Sequence, residues 1–224
     1  MHILEYRALL ETYHDLRAEH IAWVQRIHAV LFHQGARCLS GQLRMEAGQA
    51  ELAAIAATEL SAAGQRQIAV ALAMLTVSET QLATLRRDLV TIAGHLAGAK
   101  VLTARLYGVG PITGLALTCW LGGAGRFSSA RKAVRFAGLD VTVHTSDGKR
   151  SPGHLSRQGP EVLRWCVYEA GKNPARGSAP DHTYYAQTQQ RLDGKRAALS
   201  QARKIVRQAC HILTELGDDA LITT

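Results

Sequence analysis

The chain of 224 residues is poor in aromatic side chains, proline and cysteine: 5% Phe, Trp and Tyr, five prolines and four cysteines. So few prolines leave room for long uninterrupted helices. Cys38, Cys119, Cys166 and Cys210 stand far apart with no C-x-x-C pair, which excludes a zinc ribbon and a dithiol redox motif. Set in apolar helical patterns, they read as buried free thiols of a reducing cytoplasm. Long hydrophobic runs are missing as well. The longest, Ile68 to Leu75, is too short to span a bilayer, and the N-terminus is charged from Glu5 onward with no signal-peptide core. The expectation is a soluble, cytoplasmic protein with no membrane partner.

Acids are the scarcer charge, and their shortage is local. Residues 1–100 carry nine of the 26 Lys and Arg and nine of the 18 Asp and Glu, so the whole formal excess of +8 falls on residues 101–224. A surface for a polyanion in that half is one reading, and a merely solvated basic face is the other. The neutral first half repeats apolar residues at three and four. One seam runs Leu9, Tyr13, Leu16, His20, Trp23, Ile27 and Val30. Gly35 is placed to end that helix, an alanine-rich helix is expected from Ser40 to Ala62, and a third seam runs from Ile68 to Leu96. The prediction is a mostly α protein: a long helical coiled-coil arm over residues 1–99, then a compact helical domain over 100–224. His14, His20, His28 and His33 make no i,i+4 pair, so they read as a polar inlay or solvated face in preference to a metal site.

Beyond Ala99 glycines and short helices take over. A helix over Val101–Tyr107 is stopped by Gly108, and Pro111 opens the next, which runs to about Leu121. Ser128 is placed to cap a helix over 129–136 that Gly138 closes. Leu139 to Thr145 alternates toward strand, and Ser146-Asp147-Gly148 is turn chemistry. Pro160 suits the first turn of a helix reaching Ala170, and a helical pair follows at His182–Leu192 and Lys195–Leu216.

Two constellations carry candidate chemistry. Gly108-Val109-Gly110 between two helices reads either as a plain turn or as a nest of backbone amides for a phosphate, with Thr113 on the helix that follows. Ser146 reads either as a turn residue or as a nucleophile. Lys149 and Arg150 stand beside it and Arg157 slightly beyond, with Asp147, His144 and His154 nearby. Basic clusters at Arg131, Lys132, Arg135 and at Arg203, Lys204, Arg207 place members of each on one helix face, suited to backbone contacts. Trp165, Tyr184 and Tyr185 read as core or as base-stacking residues.

The ordered pieces Gly108-Val-Gly110-Pro111-x-Thr113, Phe127-x-Ser129, Phe136-Ala-Gly138-Leu139, His144-x-Ser146, Gly148, Gly153-x-Leu-Ser156-Arg157-x-Gly159 and Leu163-Arg164 resemble the C-terminal transposase domain of the insertion-sequence 110 family. The resemblance continues to about Leu216, and residues 1–100 are similar to the linker and coiled coil before that domain. It implies a helix-hairpin-helix element at Gly108 and Gly110. It also implies a DNA recombinase in which a loop serine, here Ser146, attacks the DNA phosphate and becomes joined to the strand. Thr113, Lys149, Arg150, Arg157 and Arg164 fall among the residues expected at DNA. In that family Mg²⁺ is held by four acids of an N-terminal RuvC-like domain, and a structured guide RNA directs the reaction. This chain departs from the pattern by Ser-Asp-Gly in place of Ser-Gly, and its early acids, read as a coiled-coil face, leave the acidic domain expected to be missing. No cofactor is therefore expected in the chain itself.

Two functions follow as expectations. The first is the serine half of a composite transposase site, inactive without an acidic Mg²⁺-binding domain. The second is a non-catalytic nucleic-acid-binding and dimerisation module, a truncated remnant. Expected partners are DNA, a guide RNA and a second copy of the chain through the coiled coil.

Overall fold

A computed structural model describes residues 3–43, 45–141, 145–146, 149–150 and 155–223, with the backbone alone at 145, 146, 149 and 150. The described chain is mostly helical: α1 (Ile3–His33), α2 (Glu46–Glu59), α3 (Ala62–His95), α4 (Ala97–Arg105), α5 (Pro111–Leu121), α6 (Ala130–Phe136), α7 (Glu161–Ala170), α8 (His182–Arg191) and α9 (Gly194–Leu216). Two short strands, β1 (Thr145–Ser146) and β2 (Lys149–Arg150), pair antiparallel, Thr145 opposite Arg150 and Ser146 opposite Lys149. The chain divides into two compact units, residues 12–86 and residues 1–11 with 87–224.

In the unit 12–86 the core is Ile27 and Leu31 of α1, Leu52 and Ile55 of α2, and Ile68, Ala71 and Leu75 of α3. These positions step by three and four, so each helix buries one stripe. α2 is shorter than the expected Ser40–Ala62, and its own side chain explains why. The Glu51 carboxylate accepts from the Ser40 amide and hydroxyl and from the Gly41 amide, folding 40–41 back over α2. Those amide bonds, led by Gly41, hold the Glu51 carboxyl below the usual carboxylate range. Cys38 lies exposed in the loop before α2, whereas a buried thiol was expected there. α3 contains an 18-residue stretch of mean hydropathy 1.5, long and apolar enough to cross a membrane by length and composition, although the run Ile68 to Leu75 alone is too short. Its Ile68, Ala71 and Leu75 are buried in the core of this unit.

The second unit is built around α5, whose residues Gly114 to Leu121 are all buried and which touches α4, α7 and α9. An eleven-residue helix with an apolar side in every direction has to sit inside. Two guanidinium groups close its C-terminal end. Arg7 donates to the Cys119 carbonyl at 2.6 and 3.0 Å, and Arg126 donates to the Trp120 carbonyl at 2.6 Å. Cations there satisfy carbonyls that the helix leaves unpaired and offset its negative pole. Burial pushes the Cys119 thiol up to about 12, with Arg7 opposing. α9 buries Ala198, Ala202, Ile205, Val206, Ala209 and Leu213 on one side, which leaves its arginines to the other. Asp193 caps it by accepting from the Arg196 amide at 2.7 Å.

Candidate functional site

The turn between α4 and α5 needs glycine at one position and merely contains it at another. Gly108 has φ +79°, and a Cβ there would meet Asn173 Nδ2 at 2.9 Å and the Ala170 carbonyl at 3.1 Å. Asn173 Nδ2 also donates to the Gly108 carbonyl at 3.0 Å, tying the turn to the segment after α7. Gly110 has φ −84° with open space around its missing Cβ, and it precedes Pro111 at the head of α5. Both glycines line a cleft of about 660 Å³ with Arg105, Tyr107 and Arg176. Thr113 lies in the first turn of α5 and is half-buried.

The segment carrying Ser146 is tied at both of its ends. Val141 pairs antiparallel with Leu155, and the Ser156 amide donates to the Asp140 carbonyl at 2.9 Å. The Ser156 hydroxyl donates to Asp140 Oδ1 at 2.5 Å, while Arg135 Nε lies 3.7 Å from Asp140 Oδ2. Arg203 Nε, reaching from α9, donates to the Leu139 carbonyl at 2.7 Å. On the return side Arg157 takes φ +53°, a left-handed conformation that is uncommon outside glycine. Arg164 Nη1 donates to the carbonyls of Arg157 and Gly159 at 3.2 and 3.4 Å. One guanidinium is thereby engaged in holding the loop. Gly138 permits that approach: it takes φ +68° and its absent Cβ leaves Arg164 Nη1 room at 2.9 Å.

Around this root the two basic clusters converge. Arg131, Lys132 and Arg135 of α6 and Arg203 and Arg207 of α9 line one groove of about 1170 Å³, together with Asp140. Burial, then the neighbouring Arg207, lower the Arg203 guanidinium from its usual value, and Asp140 opposes the shift. Its Nη2 is buried and makes no hydrogen bond among the described residues. Lys204 turns elsewhere, to Asp181 at 2.6 Å.

Of the residues singled out in the sequence, Gly108 and Gly110 share one cleft, and Arg131, Lys132, Arg135, Arg203 and Arg207 share another. Ser146 faces Lys149 across the β1–β2 pair, next to Arg150. His144, Asp147, Gly148, Gly153 and His154 lie outside the described residues. Tyr185 is buried against Ala197 and Ala198, and the Tyr184 hydroxyl bonds to that of Ser200 at 2.7 Å, so both are engaged with α9. Asp140 was not singled out by sequence. Its partner Ser156 is distant along the chain, and a lone acid after Gly138-Leu139 carries no local signal. Among the described residues no three His, Cys, Asp or Glu side chains gather closely enough to hold a metal ion.

Residues 101–186 match the family model described as Transposase IS116/IS110/IS902 family, a span that contains every motif from Gly108 to Arg164. A comparison with curated proteins finds no match.

Proposed function

We propose that this chain, whose residues 101–186 match the family model described as Transposase IS116/IS110/IS902 family, binds DNA and supplies Ser146 as the nucleophile of strand cleavage and transfer. The observation that carries the reading is the rooting of the Ser146 segment, through Asp140 and Leu139, in a groove lined by five cations. A serine hydroxyl is a weak nucleophile, and negative charge builds on the phosphate as it attacks. Cations beside the reacting phosphorus lower that cost and hold the strand in line. The Ser146 Oγ–P bond forms as the P–O bond to the leaving strand end breaks. The serine proton goes to a base, the leaving oxygen takes up a proton, and a second attack by a strand hydroxyl releases the serine. Lys149 stands opposite Ser146 in the β1–β2 pair, with Arg150 next along β2. Gly108, Gly110 and Thr113 grip a phosphate elsewhere on the duplex through backbone amides at the head of α5, as a helix-hairpin-helix does. Arg157 adds an exposed cation, and Arg164 acts by shaping the loop.

Mg²⁺, when bound to an acidic partner domain, supplies Lewis-acid stabilisation of the phosphate. The described residues of this chain offer no carboxylate set that fits it. The composite site is tested by mixing the protein with a separately produced acidic domain, Mg²⁺ and element-end DNA. The expected result is a covalent protein–DNA adduct with the wild type and none with Ser146→Ala. No adduct with the wild type, or an adduct that survives Ser146→Ala, overturns the assignment.

A second reading, a nucleic-acid-binding and self-associating module without chemistry, is favoured by α3. Its Val70, Met74 and Val77 are exposed at helical spacing within the unit 12–86. Salt-dependent DNA binding by a self-associated chain that forms no adduct in the same mixture supports it.

A further inference from the structure

The groove between α6 and α9 is separate from the cleft at the glycine turn, and it brings together Arg131, Lys132 and Arg135 with Arg203 and Arg207. We propose that it binds the sugar–phosphate backbone of duplex DNA, and that Asp140 is its resident counter-ion, restraining its affinity while rooting the Ser146 segment. The proposal rests on the transposase reading and deepens it.

At about 1170 Å³ the groove is larger than the ~300–1,000 Å³ pockets that enclose small molecules, and its polar lining is dominated by one sign of charge. It has no platform for unpaired bases. None of its described lining residues is aromatic, and residues 137–164 contain no Phe, Trp or Tyr at all. Single-strand binders stack bases on such rings, whereas a backbone track needs only cations and backbone donors.

Two features make the groove more than a solvated basic face. Arg203 is held by its Nε on the Leu139 carbonyl, so its guanidinium loses little freedom on binding. Arg207 stands one turn further along α9 and repels it, a conflict that a bound phosphate relieves. Asp140 is the only acid among the described residues lining the groove. Its Oδ1 is engaged by Ser156 and its Oδ2 faces Arg135 at 3.7 Å, so the charge of one cation is partly offset before DNA arrives. Removing that charge frees Arg135 for phosphate.

The test is fluorescence anisotropy with a labelled duplex of arbitrary sequence and with its single strand, across about 50–200 mM salt, where each phosphate contact contributes a log–log slope of about −0.9. Arg131→Glu with Arg207→Glu is compared with Arg191→Glu plus Lys195→Glu, which changes the net charge equally at exposed positions outside the groove. The groove pair is expected to flatten the slope by about two and weaken duplex binding by more than about tenfold, the control pair by less than about threefold. Asp140→Asn is expected to tighten duplex binding about two- to fivefold, while Ser156→Ala, which keeps the charge, does not. If Asp140→Asn does not fold, Arg135→Ala reads the same point and is expected to cost less affinity than Arg131→Ala. Equal losses from the groove and control pairs, tighter binding of the single strand, or no gain from Asp140→Asn (or, in its place, equal losses from the two alanine variants) overturns the proposal. A wild-type chain that binds no DNA overturns the transposase reading instead.

Discussion

Gly108 and Gly110 stand two residues apart and answer to different constraints. At Gly108 the positive φ and the crowding from Asn173 and Ala170 both oppose a side chain. Gly108→Ala is therefore expected to lower stability by about 1–3 kcal/mol. Gly110 has an ordinary φ and open surroundings, so Gly110→Ala is expected to change stability by less than about 0.5 kcal/mol. Yet that methyl group stands at the head of α5, where a phosphate would approach the amides, and DNA affinity is expected to fall several-fold. Thermal melts beside anisotropy separate the two effects. Unaltered binding by the Gly110 variant would remove the amide nest from the interface. The sequence made both glycines conspicuous but not their difference, because the residue that crowds Gly108, Asn173, sits beyond α7.

Among the elements, α5 depends on cations from outside itself. The pair of hydrogen bonds from Arg7 to the Cys119 carbonyl joins the first turns of α1 to its C-terminal end. Bonds from a charged donor contribute about 1.5–3 kcal/mol, so Arg7→Ala is expected to lower the stability of this unit by that amount, measured by denaturant unfolding. A loss below about 0.5 kcal/mol would mean that water replaces the guanidinium there. The boundaries of α5 were legible in advance: Pro111 opens it and Leu121 closes it, as the apolar run implied. The helix expected after Ser128 begins at Ala130 with Ser129 at its cap, and α7 begins just after Pro160. Local chemistry sets such limits, so local sequence reveals them. α2 was overestimated because Glu51 draws Ser40 and Gly41 out of helical continuation, a side-chain competition that apolar spacing does not encode. The ties of Arg7 to Cys119, Asp140 to Ser156 and Arg203 to Leu139 were equally invisible, each joining residues remote in the chain.

At the scale of the whole molecule, the cysteines report on the two units separately. Cys38, in the unit 12–86, is exposed, whereas Cys119, Cys166 and Cys210 are buried in the other unit. With the Cys119 thiol pushed up to about 12, almost none of it is thiolate at neutral pH. A maleimide is expected to label Cys38 alone in the native protein. The three buried thiols are expected to become reactive together as denaturant opens their unit, read by mass spectrometry of the peptides. Early labelling of one of them would show that part of that unit opens by itself.

The Arg203 side chain has a consequence for inheritance. Its guanidinium lines the groove and also fastens the Leu139 carbonyl at the root of the Ser146 segment. A lineage that mutates this codon changes grip and aim in one step, whereas Arg131 or Lys132 can drift with only the grip at stake.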